Sequence, residues 1–469
     1  MPRKIKKMIY LVFIIVFWIP RALFYLNIPI VGINGDTFDY TGIAFFFSKG
    51  QIPDLGIIPP LYPIFFAISS SFVNSLSSII FIQTLFTFFC FLYLLRSFLI
   101  NSKKFIESKG IQYFIIFAIV LTSLDSHLLL LETDLMTESL QFPLLLLFIG
   151  SIVNTYFNRS KFNFIFIVSI VFLIAFNRSN GLILYPVLLC FIGYLFIRFK
   201  TERKIILVFT IAPLILLNFM WSLLNYSSTD TFFFGNPYRM KTVVQTNIVN
   251  PQNIAPEKIE SSTIYNYKKY NYDFLKYDYI KEPNSKPLLI INYLFDIQES
   301  RDPFFSKMIL SRYNDYYVNN KFADTSFYHV KFLKYEAQYR DDIRQYSLKD
   351  YANQKVDQSP IELGFVSILF DKINFLNNLL TRNLVFHLVN LLGIIYLWIL
   401  VIRKKAQLNA LIVIVTMLSM AAYGNLVGIS LFHGRLLSRY HYIFNLFHII
   451  NAILTIDFLI TKFSRKKNA

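Results

Sequence analysis

Residues 204–224 read KIILVFTIAPLILLNFMWSLL. Apart from Lys204 at its edge the stretch has no charge, and 21 helical residues rise about 31 Å, close to the thickness of a bilayer's hydrocarbon core. A helix apolar on every face belongs in lipid or in a large buried core. Similar runs occupy 8–27, 77–100, 111–129, 138–156, 162–177, 180–198, 380–402, 408–430 and 441–461, which makes about ten spans. The run at 162–177 is short. A further run at 57–73, crowded by Pro59, Pro60 and Pro63, reads either as another span or as a helix lying in the interface. The expected fold is an all-α polytopic membrane protein.

Composition agrees with that reading. Of 469 residues 55% are hydrophobic and 16% charged, against about 25% charged in an ordinary soluble domain. The net charge is +18, yet the polar stretch from Asn225 to about Phe375 is nearly neutral, with 19 basic and 18 acidic residues. The excess therefore flanks the spans and forms no single basic patch, which argues against nucleic-acid binding. Cys90 and Cys190 both lie in apolar runs, so the polar stretch has neither a disulfide framework nor a cysteine metal site. Three parts follow: a membrane module over 1–224, a polar region over 225–375, and C-terminal membrane helices over 376–469.

Lys and Arg set the orientation. With the N-terminus in the cytoplasm, basic groups at 3–7, 96–109, 159–161, 198–204, 403–405 and 462–467 all fall on the cytoplasmic side. The run at 8–27 is too long for a signal-peptide core and lacks a small-residue cleavage site, so it is expected to be a retained span. Asp36, Asp39, Asp54, Asp125, Glu132, Asp134 and Glu138 then lie outside with Arg21, Arg178, Arg435 and Arg439. The 225–375 region, Tyr- and Lys-rich at 265–272, is expected to be an extracytoplasmic, mainly helical insertion after the seventh span.

Several outer residues carry potential chemistry. Asp36, in Gly35-Asp36-Thr37-Phe38-Asp39-Tyr40, is a carboxylate beside apolar aromatics, where partial desolvation raises proton affinity and suits a general base. Structurally, Asp36 would cap a short helix and Tyr40 would be a belt aromatic. In Glu132-Thr133-Asp134-Leu135-Met136-Thr137-Glu138, Thr137 or Asp134 reads as a cap with Glu138 in the first helical turn, or these acids bind a metal or orient a sugar hydroxyl. If a divalent cation is used, Glu132, Asp134 and Glu138 are the candidates. Arg178 either pairs with an acid or holds an anion such as phosphate. Arg435, Arg439 and Tyr440, with His433 and His441, line the last outer turn; the histidines lack metal-site spacing.

Together these pieces resemble the GT-C superfamily of integral-membrane glycosyltransferases, nearest the bacterial relatives of protein O-mannosyltransferases and the aminoarabinose transferases. The resemblance rests on Asp36-x-x-x-Tyr40-x-x-x-Ala44 with Gly50, on Pro60-Leu61-Tyr62-Pro63, on Thr137-Glu138, on Arg178-x-x-Gly181 and on Arg439-Tyr440. It implies a polyprenyl-phosphate-linked sugar donor, an envelope lipid, glycan or protein acceptor, and inversion at the anomeric carbon. On that footing Asp36 is the base and Arg178, with Arg435 or Arg439, holds the donor phosphate; Tyr40, Asp134, Glu138 and Tyr440 complete the substrate contacts. Three departures stand out: Thr37 where a second acid is usual, Ser179 where Pro is common, and no Pro after Arg439-Tyr440. Rival readings are an envelope polysaccharide polymerase or ligase, a transporter or flippase of a lipid-linked saccharide, and a membrane scaffold. The absence of an internal repeat weighs against a two-half transporter.

Overall fold

Each of the ten apolar runs carries an α-helix in the computed structural model, which describes residues 2–27, 35–52, 58–72, 76–229, 232, 384–404, 407–433 and 443–467. In chain order the helices are α1 (Arg3–Asn27), α2 (Gly35–Ser48), α3 (Leu61–Phe72), α4 (Leu76–Asn101), α5 (Lys109–Thr122), α6 (Ser126–Thr133) and α7 (Glu138–Phe157). They continue as α8 (Lys161–Asn177), α9 (Leu184–Arg198), α10 (Arg203–Thr229), α11 (Leu384–Ile402), α12 (Ala410–His433) and α13 (Asn445–Lys467). No strand occurs among the described residues. Among the described residues six helical segments are long and apolar enough to cross a membrane: Ser78–Lys104, Glu138–Phe157, Ser179–Arg198, Lys200–Ser227, Val385–Ile402 and Ala410–Val427. The chain is thus an all-helical, multi-pass membrane protein. Most of the 225–375 region lies outside the described residues.

Two runs fold differently from their hydropathy. The run at 57–73 holds α3, whose 12 residues rise only about 18 Å, too little to cross a bilayer alone. The run at 111–129 is broken after Thr122. Ser123 Oγ donates to the Val120 carbonyl at 2.6 Å, and Arg21 donates to the Ser123 carbonyl at 3.0 Å. These bonds engage carbonyls that a continuing helix would use, and the chain turns into α6.

α7 is the central helix, buried along most of its length between α4 and α8. Gly150 permits the α4 contact, since a Cβ there would lie 2.8 Å from the Tyr93 ring. α1 runs antiparallel to α4: Phe13 packs on Phe91, Phe17 on Phe88 and Trp18 on Phe81. α13 packs on α5, α11 and α12. Its buried Asp457 accepts from the backbone N–H groups of Glu107 and Ser108, each at 3.3 Å, just before α5 begins. Antiparallel packing separates the charges. The basic flanks at the start of α1, the end of α4 and the start of α8 share one end of the bundle, and Arg21, Glu132, Glu138 and Arg178 share the other.

Candidate functional site

The segment from Glu132 to Glu138 leaves α6 and opens α7, and polar side chains from four other helices converge on it. Arg21, from the last turns of α1, is 1% exposed, and so is Glu132. Arg21 Nε and Nη2 each donate to a different carboxylate oxygen of Glu132 at 2.7 Å. Its Nη1 donates to the carbonyls of Phe17 (2.9 Å) and Ser123 (3.0 Å), and the guanidinium lies 3.5 Å over the Phe17 ring. This planar two-point pairing is what an arginine offers and a lysine does not. Burial pushes the Glu132 carboxyl up from the ordinary carboxylate range, with Arg21 pulling the other way.

The backbone of the segment is held as well. Gln83 of α4, fully buried, donates through Nε2 to the carbonyls of Glu132 (3.0 Å) and Asp134 (3.3 Å). Tyr62 of α3 donates its hydroxyl to Gln83 Oε1 at 2.8 Å, which fixes the amide's direction. Asn177, the last residue of α8, donates through Nδ2 to the Thr137 carbonyl and to Gln141 Oε1, both at 2.8 Å. The polar contacts come from four different helices, so the bundle's packing sets the geometry of the turn.

At the mouth of α7, Glu138 is 2% exposed and its Oε1 lies 2.6 Å from Nη1 of Arg178, which is 12% exposed. Thr137 Oγ1 donates to the other Glu138 oxygen at 3.0 Å. Thr137 therefore orients Glu138; it makes no side-chain cap of the helix. Arg178 sits between α8 and a 3-10 turn, Ser179–Ile183, which must pass close to α8. A Cβ on Gly181 would stand 2.6 Å from the Ile174 carbonyl oxygen, a backbone atom with little room to move, so glycine is required there.

The expected residues distribute as follows. Glu138 and Arg178 meet. Asp134 lies partly exposed between them and the Gln83 clamp. Tyr40 is buried, its ring edge-on to Tyr62 with centroids 5.3 Å apart, so it packs inside the protein and not in an interfacial belt. That contact seats α2 against α3, and Tyr40 shares an apolar cluster with Leu135 of the segment. Asp36 is the second residue of α2, and its side chain lies outside the described residues, as do Arg435, Arg439 and Tyr440. Glu132, one of the metal candidates, has an Arg21 donor on each of its oxygens. Among the described residues no group of three or more His, Cys, Asp or Glu gathers to hold a metal ion. Asp125, at the α5–α6 turn, is 2% exposed and not a solvated acid.

Arg21, Gln83, Tyr62 and Asn177 were not expected at the site. Arg21 was visible as an outer arginine and Tyr62 within Pro60-Leu61-Tyr62-Pro63, whereas Gln83 and Asn177 were visible only as polar residues inside or beside apolar runs, a signal because such residues in a membrane need partners. No family model matches the chain, and no curated protein or solved structure shows significant similarity to it.

Proposed function

We propose that the protein is a glycosyltransferase that moves a sugar from a polyprenyl-phosphate donor to an envelope acceptor. The observation that carries this reading is the Glu138–Arg178 pair, set among amides at the end of the bundle away from the basic flanks, with α2 seated beside it. An arginine that is mostly buried but still 12% exposed, and already placed beside a carboxylate, suits a phosphate that arrives and departs in one turnover. In this reading Asp36 takes the proton of the acceptor hydroxyl, whose oxygen attacks the anomeric carbon. The bond to the lipid phosphate breaks, the configuration inverts, and Arg178 stabilises the charge left on the leaving phosphate. Glu138 and Asp134 face the sugar, with Arg435, Arg439 and Tyr440 supplied from the last outer turn.

The same proposal places ten spans in an inner membrane, both termini in the cytoplasm, the site outside, and the 225–375 insertion over it. The test is transfer of labelled sugar from a panel of polyprenyl-phosphate donors into envelope fractions, with wild type compared against Asp36→Asn and Arg178→Ala at matched expression. Transfer that disappears in the first and needs more donor in the second supports the reading; equal turnover in all three refutes the site.

One observation favours a transporter as the second reading. His387, Tyr423 and His448 gather from α11, α12 and α13, with ring centroids 4.7, 5.0 and 5.7 Å apart. Phe447 stacks on Phe148, ten residues into α7 and so about 15 Å below Glu138 along that helix. Ionisable groups at membrane depth are what transporters use, and proton-dependent flux without sugar transfer would select that reading.

A further inference from the structure

Beneath the Glu138–Arg178 pair lies a layer of uncharged amides: Gln141 of α7, Asn177 of α8, Asn180 of the 3-10 turn and Asn425 of α12. Gln141 and Asn177 are fully buried and Asn425 nearly so. The layer is internally bonded but incompletely. Asn177 Nδ2 donates to Gln141 Oε1 at 2.8 Å, and Asn180 Nδ2 donates to Asn425 Oδ1 at 3.1 Å. Three of its atoms are shielded from solvent and lack a hydrogen-bond partner among the described residues: Gln141 Nε2, Asn177 Oδ1 and Asn180 Oδ1. Native proteins seldom leave such groups unmet, and several together mark a place where something else completes them.

We infer that this layer reads the hydroxyls of a neutral sugar. The inference rests on the transferase reading above and adds the class of sugar to it. One orphan donor and two orphan acceptors, within three residues of each other along the end of α8 and one turn into α7, match neighbouring hydroxyls, since each hydroxyl both donates and accepts. The charge balance points the same way. Glu138 and Arg178 neutralise one another, and the four amides carry none, so the layer has no unbalanced charge for an ammonium or carboxylate on the sugar. Access follows from the same pair. Arg178 and the half-buried Asn180 form the edge of the layer, so a donor phosphate that binds Arg178 while its contact with Glu138 is kept brings the sugar to Asn180 and the amides below. Recognition of the sugar is thereby linked to arrival of its phosphate.

The experiment compares kcat/KM of the full-length protein in membranes for three polyprenyl-phosphate donors: a neutral hexose, an amino sugar and a uronic acid. Wild type is expected to prefer the neutral donor by roughly tenfold or more, the value of one or two well-made hydrogen bonds. Asn180→Ala, at the accessible edge, is expected to raise KM for the neutral donor by about tenfold with a smaller change in kcat. Asn180→Asp is expected to admit the amino sugar and exclude the uronic acid, which a purely structural role for Asn180 would not produce. Preference for the amino sugar by wild type, or a neutral-to-charged ratio unmoved in both variants, overturns the inference while leaving the transferase reading intact. No transfer from any donor overturns both.

Discussion

Replacing Arg21 with Met removes four hydrogen bonds at once, two to the Glu132 carboxylate at 2.7 Å and two to carbonyls at 2.9 and 3.0 Å. The larger effect is on what remains. Glu132, 1% exposed, would keep its charge without a partner or have to be protonated in place. Breaking a buried ion pair from one side costs about 3–5 kcal/mol, and Glu132→Leu is expected to cost about the same because it strands the guanidinium. The double variant, Arg21→Met with Glu132→Leu, strands neither charge and fills the volume with apolar groups. It is expected to be more stable than either single variant, with a coupling energy above about 2 kcal/mol, large for residues in contact. The assay is tryptophan-monitored unfolding in mixed detergent micelles, run on all four corners of the cycle. If the double variant loses the sum of the two single losses, Arg21 and Glu132 act independently. The account of the Glu132–Glu138 segment as anchored through that pair would then be wrong.

Three further outcomes follow from the same geometry. Gln83→Leu should lower kcat of sugar transfer at least tenfold and destabilise the protein by about 1–3 kcal/mol, because it strands two carbonyls of the segment and the buried Tyr62 hydroxyl; Gln83→Glu, which cannot donate from that end when ionised, should not rescue kcat. Gly181→Ala should raise the donor KM more than Asn180→Ala does, since the 2.6 Å approach to a backbone oxygen forces the whole Arg178 turn outward, and donor titration reads it. Asp457→Leu should destabilise the protein by about 1–3 kcal/mol in the same unfolding assay, because two N–H groups ahead of α5 lose their acceptor.

Hydropathy was enough to place the long helices among the described residues, since a run that is apolar on all faces has few alternatives. It failed where local bonding overrode it. In residues 111–129 the polar cluster Ser123, Asp125, Ser126 and His127 marks where the outer turn begins, but its exact place at Ser123 depends on a serine bonding back to Val120 and an arginine a hundred residues away in sequence. At the site, Glu138 and Arg178 were legible as charges at the outer ends of spans, where a charge is conspicuous. Their mutual pairing was one of two readings, and only the packing of α8 against α7 decides it. Gln83 and Asn177 were harder to see, because an uncharged amide in an apolar run is common and its meaning comes from what lies opposite. Glu132 looked like Asp134 and Glu138 in sequence; the difference is that Arg21 reaches it from α1.

The Gln83 clamp grips the carbonyls of Glu132 and Asp134, atoms that every residue type supplies. Around position 134 the path of the backbone is thus held by an amide that does not depend on the side chain there. In evolutionary terms, the scaffold and the side chain at that position are separable: if Asp134 faces the substrate as proposed, descendants of this chain can exchange the acid for another group without first rebuilding the loop that presents it. A library randomised at 134 alone is the natural starting point for redirecting the protein.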